Sequence, residues 1–501
     1  MTVDTPPWVR DAVFYQIFPD RFAASDRVHK PGPLEPWDAP PTHVGFKGGD
    51  LLGIVERLPY LHDLGVTALY LNPVFQSASN HRYHTYDYFT VDPLLGGNEA
   101  LRELLDAAHA RGMRVVLDGV FNHTGRGFWP FHHVLETGAG SPYRGWFHFD
   151  EGLLSSGGSP LAYPPPGMPP HALGYDAWWG IPALPKLATG NPDVREYLMS
   201  VAEHWLRFGM DGWRLDVPEE INDVGFWQEF RRRCRAVRPD AYLVGEIWHV
   251  APEWLHGDRF DATMDYPLTE VILGFAGGSR LDMGVVHSQS EYAANIRPID
   301  GPEFAMRLED LLDAYETETV AAQLHLLGSH DTPRMRTVLG DDLTGVRLAM
   351  LLQASLPGAP CIYYGDEIGL AGGMDPDCRR SFPWDETRWD HLLREYQRGL
   401  LRVRAAEPAL RADAVVVVGS GGGAVAIERR LDATRLVVAL NAGDEPVRLE
   451  LALPDERDGT VLRPIPLAGA DGTASEAEAV VRDGTASLEL GPRSGSILRP
   501  T

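Results

Sequence analysis

Gly212-Trp213-Arg214-Leu215-Asp216 is the stretch on which the reading of this chain turns. It follows a helically spaced run, residues 194–208, and a short turn, Gly209-Met210-Asp211. The pattern predicts a brief strand closed by a carboxylate. Side chains two apart on a strand share a face, so Arg214 and Asp216 point the same way with Cα atoms about 6.6 Å apart. A guanidinium that close keeps a carboxylate ionised, as a nucleophile requires. An ordinary buried ion pair at a strand end would look the same in these five residues, so the surrounding chain has to decide.

Working outward, apolar strand candidates lie at residues 12–17, 68–71, 114–117, 242–245, 262–264, 323–327 and 361–364. Helical periods run over 51–64, 98–111, 224–237, 346–354 and 388–404. With the opening stretch that makes eight strands with helices between most of them, an α/β chain of the (β/α)8 TIM-barrel type. A doubly wound open sheet is the alternative. It does not explain why Asp118, Asp216, Glu246 and His330-Asp331 end so many strands. The barrel is expected over 1–123 and 188–412. Residues 124–187, with Gly157-Gly158-Ser159-Pro160 and Pro164-Pro165-Pro166-Gly167, read as a small irregular domain inserted after the third strand. From 413 to 501 the pattern changes to alternating apolar runs separated by turn residues, a C-terminal antiparallel β-sandwich domain.

The chain has 501 residues and a formal charge of −25, which repels polyanions and makes nucleic acid and anionic membranes poor partners. Three cysteines supply neither a disulfide framework nor metal-type spacing. Residues 1–7 lack a basic and then apolar leader pattern, and no run reaches the length of a membrane span, so a cytoplasmic location is expected.

A barrel of this type builds its site at the C-terminal strand ends. Asp118, Asp216, Glu246 and Asp331 therefore converge. Two carboxylates about 5.5 Å apart at an effective dielectric near 20 repel by roughly 3 kcal/mol, about 2 pKa units. One of them is expected to keep its proton. Arg214 marks Asp216 as the ionised one, which leaves Glu246 as the acid with a raised pKa. That division of labour is the retaining glycosidase pair. A divalent-ion site is the competing reading of such a cluster, and the guanidinium beside Asp216 argues against it. His123 and His330 read singly as hydrogen-bonded structural residues. Beside carboxylates they suit recognition of neutral hydroxyls. Tyr83, Tyr86, Trp178, Trp179 and Trp248 flank these stretches; each alone reads as core packing, and together they suit the C–H faces of sugars.

Taken together, the motifs resemble the α-amylase family of glycoside hydrolases. Asp118-Gly-Val-Phe-Asn-His123, Gly212-Trp-Arg-Leu-Asp216, Gly245-Glu246-Ile-Trp and Gly328-Ser-His-Asp331 resemble its four signature regions, in family order. Gly48-Gly49-Asp50-Leu51 and residues 359–367 resemble further family segments. The resemblance implies Asp216 as nucleophile, Glu246 as general acid/base and Asp331 as stabiliser of the distorted sugar. It implies a substrate-binding set of Tyr83, Asp118, His123, Lys186, Arg214, His330 and Arg334.

Leu184-Pro185-Lys186-Leu187 is similar to a segment of the neopullulanase, cyclomaltodextrinase and maltogenic amylase group. Val217-Pro218-Glu219-Glu220 departs from that group where linkage preference is associated, and Tyr83-His84 stands where the family has Tyr-Asp. The group's calcium loop is replaced by Ala24-Ser25-Asp26-Arg27-Val28-His29-Lys30. Asp26 and Asp50 remain as oxygen donors, with Asn122 for a second calcium position, too few for a hard cation. No cofactor is expected. The barrel pattern begins at residues 8–15, so the dimer built by the group's N-terminal β domain is not expected, and the oligomeric state stays open.

The expected activity is retaining hydrolysis of α-1,4-glucosidic bonds in maltooligosaccharides and cyclodextrins, with transglycosylation through the same covalent intermediate. An exo-acting α-glucosidase or a 4-α-glucanotransferase is the alternative. A non-catalytic glucan-binding protein fits less well, because the carboxylate triad is intact.

Overall fold

The computed structural model describes residues 4–288 and 295–501. Eight parallel strands form one sheet: Phe14–Ile17, Ala68–Leu71, Arg114–Gly119, Gly212–Leu215, Tyr242–Gly245, Ala262–Thr263, Leu324–Leu326 and Ala359–Tyr363. Each pairs with its neighbour in chain order, and the eighth pairs back onto the first. A bridge between Met264 and Leu324 joins the sixth strand to the seventh and closes the cylinder. The sheet is a TIM barrel. Its strands are buried on both faces, which is why they read as short continuous apolar runs rather than alternating ones.

The approach to the fourth strand shows how local sequence sets the site. The helix Pro192–Phe208 starts on Asn191, whose side chain accepts from the Asp193 N–H, with Pro192 at the first helical position. It stops at Gly209, whose φ of +119° suits glycine. Asp211 then clamps the strand's entry: its carboxylate accepts from the Val115 N–H at 2.8 Å and pairs with Arg114 and Arg238. Gly212 packs so closely on the fifth strand that a Cβ there would lie 2.2 Å from the Tyr242 carbonyl. The strand ends at Leu215, so Asp216 sits one residue past it, not as its last member.

After the second strand the chain makes a hairpin, Phe75–Ser77 with Thr85–Val91, which the sequence pattern did not single out. Between the third and fourth strands, residues 124–187 contain a helix, Trp129–Thr137, where little helical period was expected. A bridge from His123 to Lys186 ties the two ends of this stretch together, and bridges from Phe147 to Leu187, Phe149 to Tyr175 and Ala177 to Pro185 hold its later part.

The C-terminal part has a six-stranded sheet, with Val415–Gly421, Ala424–Leu431, Thr434–Asn441 and Ser494–Pro500 antiparallel in order, beside a two-stranded ladder, Val447–Ala452 with Thr485–Leu490. Its face carrying Val425, Ile427, Val438 and Leu440 shares a buried core with Leu348, Leu351 and Leu352 of the barrel helix Leu343–Ser355. Among the described residues no helix is long and apolar enough to cross a membrane.

Candidate active site

Strand register brings the chemistry together. Asp118 on the third strand lies level with Arg214 on the fourth, and Leu215 lies level with Gly245 on the fifth. Asp216 and Glu246 follow directly, held by Asp216 N–H to the Gly119 carbonyl and Glu246 N–H to the Leu215 carbonyl. Arg214 is fully buried among three carboxylates. Its Nη1 donates to Asp118 Oδ1 at 2.8 Å and to Asp216 Oδ1 at 3.1 Å, and its Nη2 lies 2.9 Å from Glu246 Oε2. Burial works against the guanidinium's charge, but Asp118 and Glu246 outweigh it, and its pKa is raised.

Arg214 is therefore shared, and this corrects the expectation that its charge alone sets the state of Asp216. Burial, and then the neighbouring Glu246 carboxylate, push the Asp216 carboxyl well above the ordinary carboxylate range. Burial and Glu246 likewise push Asp331 up to about 7, although Arg379 lies 3.3 Å from Asp331 Oδ1. With this many buried carboxylates around one central guanidinium, burial and mutual repulsion raise the Asp216 and Asp331 carboxyls, in the direction the repulsion argument requires.

A hydrogen-bond chain runs around the guanidinium. Gln16 Nε2 lies 3.0 Å from His330 Nδ1, His330 Nε2 lies 2.5 Å from the Tyr83 hydroxyl and 3.1 Å from Asp331 Oδ2, and Tyr83 donates to Asp118 Oδ2 at 2.8 Å. Tyr70 donates to the same Asp118 oxygen at 2.9 Å. Burial, with Arg379 and Arg214 nearby, lowers the His330 pKa, so the ring is neutral. With Gln16 donating to Nδ1, the ring proton is assigned to Nε2. Burial also lowers His123 to about 3, and its Nε2 has no hydrogen-bond partner among the described residues.

Glu246 Oε2 accepts from the Val217 backbone N–H at 3.0 Å, and Trp248 Nε1 lies 3.3 Å from Oε1. Val217 makes its contact from φ +36°, ψ 53°, a region that a β-branched residue rarely enters. Such strain beside a cluster of carboxylates marks a place where backbone comfort yields to the position of a polar group.

These groups open into one cleft of 680 Å³, lined by Tyr83, His123, Asp216, Glu246 and Asp331 together with Trp178, Trp179, Trp248 and Arg379. Asp118, Arg214 and His330 lie just beneath, buried and bonded to that lining. Lys186 stands at the rim, its ammonium 2.7 Å from Glu220 Oε2. Glu219 pairs with His249 at 3.0 Å beside it.

Arg334 does not join the cleft. It is fully buried against Tyr363 and Tyr364, donating to the Tyr364 carbonyl and to Asp366 Oδ1 at 2.9 Å. The cleft's arginine is Arg379, whose Nε donates to the His330 carbonyl at 2.8 Å. Arg379, Gln16 and Tyr70 had no motif to flag them.

The residues present do not fit the calcium loop that the resemblance implies. Asp50 Oδ1 caps the helix Leu51–Leu64 through the Gly53 N–H at 2.7 Å, while Oδ2 accepts from the Ser25 N–H at 3.0 Å and from Lys30 Nζ at 3.1 Å. Lys30 Nζ also donates to the Leu94 carbonyl at 2.5 Å. Asp26 is exposed, and Asn122 lies 3.3 Å from the His123 ring nitrogen. An ammonium already neutralises Asp50, and the six oxygens a hard divalent ion wants are not gathered. Two outcomes are expected: EDTA leaves the thermal midpoint unchanged, and Lys30→Met, which strands the buried Asp50 carboxylate, costs roughly 3 kcal/mol in denaturant titration. A midpoint that falls on chelation would contradict this.

A family model described as "Alpha amylase, catalytic domain" matches residues 16–397. A cyclomaltodextrinase of Geobacillus thermopakistaniensis is 42% identical over 446 residues, which span 89% of this chain and 69% of that protein. A crystal structure of a Thermus thermophilus protein is 48% identical with a TM-score of 0.89, covering 99% of this chain and all of that one. The native form of a debranching enzyme from Nostoc punctiforme is 45% identical with a TM-score of 0.87, covering both chains completely.

Proposed function

Since the chain belongs to the α-amylase family of glycoside hydrolases, we propose that it hydrolyses α-1,4-glucosidic bonds of maltooligosaccharides and cyclodextrins with retention of configuration. The observation that carries the reading is the single guanidinium of Arg214 gripping both Asp216 and Glu246, with Asp331 opening into the same cleft. A pair of carboxyls tethered to one cation suits the close spacing of retaining enzymes, whose inverting counterparts need room for a water between them.

In this reading Glu246 protonates the departing glycosidic oxygen while an Asp216 oxygen attacks the anomeric carbon. The C–O bond to the leaving sugar breaks as the ester to Asp216 forms. Asp331 faces the positive charge that develops on the ring, and Tyr83, His123 and His330 hold its hydroxyls. Glu246, now ionised, takes a proton from water, whose oxygen displaces Asp216. A sugar hydroxyl in place of water gives transglycosylation. Asp118 and Arg214 position Asp216 from beneath, and Lys186 braces Glu220 at the rim.

Asp216 must be ionised to attack, and its carboxyl is raised in the free protein. Activity is therefore lost as pH falls through that raised value, not through the ordinary carboxylate value near 4. The kcat/KM profile, which reports the free enzyme, is expected to show its acid limb above that value. An acid limb near 4 would contradict the assignment.

Timed product analysis on maltotriose, maltoheptaose and β-cyclodextrin, with NMR of the first-formed anomer, tests the whole reading. Release of α-anomers supports it, and β-anomers overturn it. A second reading, action at branch points, is favoured by the full-length match to the Nostoc punctiforme debranching enzyme. Pullulan and branched dextrins in the same assay separate the two.

A further inference from the structure

The insertion ends in a ring stack that leads out of the reacting site. The His123 and Trp178 rings stack at 5.1 Å and 12°, and the Trp178 and Trp179 rings at 4.6 Å and 16°. Neighbouring residues on an extended chain point to opposite sides, so two adjacent tryptophans stack only if the backbone turns sharply between them. It does: Trp179 sits at φ +51°, ψ 21°, a left-handed conformation in which a bulky residue is an outlier. The turn is well anchored, by Trp178 N–H to the Leu184 carbonyl, Gly180 N–H to the Ala177 carbonyl and Ile181 N–H to the Trp178 carbonyl. Strain at a firmly held turn points to function more than to looseness.

What the strain achieves is placement. Trp178, with two rings stacked on it, has little ring surface left to offer. Trp179 is 74% exposed, yet it lines the same cleft as Asp216 and Glu246. Trp179 and the neighbouring exposed Ile181 both line this cleft, and contiguous apolar surface in a groove marks a place for a ligand. A glucosyl unit presents a flat C–H face of matching size, and stacking on indole leaves its hydroxyls in solvent.

We propose that Trp179 is the chain-length determinant of this protein, stacking on a glucosyl ring beyond the one that reacts, with Trp178 as the spacer that sets its distance from His123. The inference rests on the α-glucan reading of the cleft and adds to it a preference for longer substrates. A substrate long enough to place a glucosyl unit on Trp179 gains a ring contact that a shorter one lacks. The benefit falls on binding and not on the chemical step, because Trp179 touches none of the carboxylates.

The test is a chain-length series, maltotriose to maltoheptaose, on the wild type and on Trp179→Ala, Trp179→Phe and Trp179→Gly. In Trp179→Ala the ratio of kcat/KM for maltoheptaose to that for maltotriose falls about ten-fold, carried by KM. Trp179→Phe restores most of the ratio. Trp179→Gly loses the ratio as Ala does but unfolds at a higher temperature than Trp179→Ala, because glycine accepts the left-handed backbone without strain. Maltoheptaose quenches the tryptophan fluorescence of Asp216→Asn, and less so in the double variant with Trp179→Ala. An unchanged ratio in Trp179→Ala, with the wild type active on both sugars, overturns the platform alone. A wild type that cleaves no α-glucan overturns the functional reading and the platform with it.

Discussion

Asp216→Asn is expected to lower kcat on maltoheptaose by about 10⁴-fold, roughly 5.5 kcal/mol of transition-state stabilisation, while the protein stays folded. The amide has nearly the shape of the carboxylate and can still meet Arg214, but it cannot form the ester to the anomeric carbon. The fold should gain from the change. The folded Asp216 carboxyl is raised above its unfolded value by burial and by Glu246. Between those two values the native state binds an extra proton relative to the unfolded chain, so stability falls as pH rises through that window. Asparagine carries no such cost. The thermal midpoint of the variant should therefore match the wild type below about pH 4 and exceed it at neutral pH. Lost activity with a lowered neutral-pH midpoint would instead mean that Asp216 serves the fold, and near-native activity would remove it from the mechanism.

The second large effect is that of Glu246→Gln. Loss of a positioned general acid costs about 10²–10⁴-fold, and the loss should depend on the leaving group. With maltoheptaose, whose departing alkoxide needs a proton, kcat/KM should fall toward the upper end of that range. With an α-glycosyl fluoride, which leaves with little protonation, the first step should survive and the intermediate on Asp216 should accumulate. Azide needs no general base, so adding it should restore turnover and yield the α-glycosyl azide. Equal losses on both substrates and no azide product would show that Glu246 is not the acid/base. The Val217 N–H and Trp248 Nε1, both close to the Glu246 carboxyl, remain available to the amide oxygen, so the side chain should keep its place.

How far the site was legible depended on how local each signal was. Asp118, Asp216, Glu246 and Asp331 were readable because a carboxylate closing an apolar run is visible within a few residues, and the barrel dictates that strand ends meet. The hairpin behind Tyr83 escaped the pattern, since its strand Thr85–Val91 is buried at every third residue and not at alternate ones. Arg334 came from the resemblance and had no local signal of its own. The chain turns there into the helix Met335–Val338, and Arg334 faces the Tyr363 and Tyr364 rings instead. Arg379, 48 residues beyond Asp331, lines the cleft, with a hydrogen bond to the Asp331 carboxylate.

From the sequence alone came the barrel, the order of its strands and the identity of the clustered carboxylates, because hydrophobic period and strand-end position are properties of neighbouring residues. Which groups act on each carboxyl was decided only in three dimensions. The sequence places Arg214 two residues from Asp216; the fold places the same guanidinium 2.8 Å from Asp118 and 2.9 Å from Glu246. Charge acts through space and is strengthened by burial, so the claim of Asp216 on its nearest cation in the chain was diluted by partners 96 and 32 residues from Arg214. Lys30 against Asp50 and the stacked Trp178 and Trp179 were likewise settled by what the folded chain brings within contact.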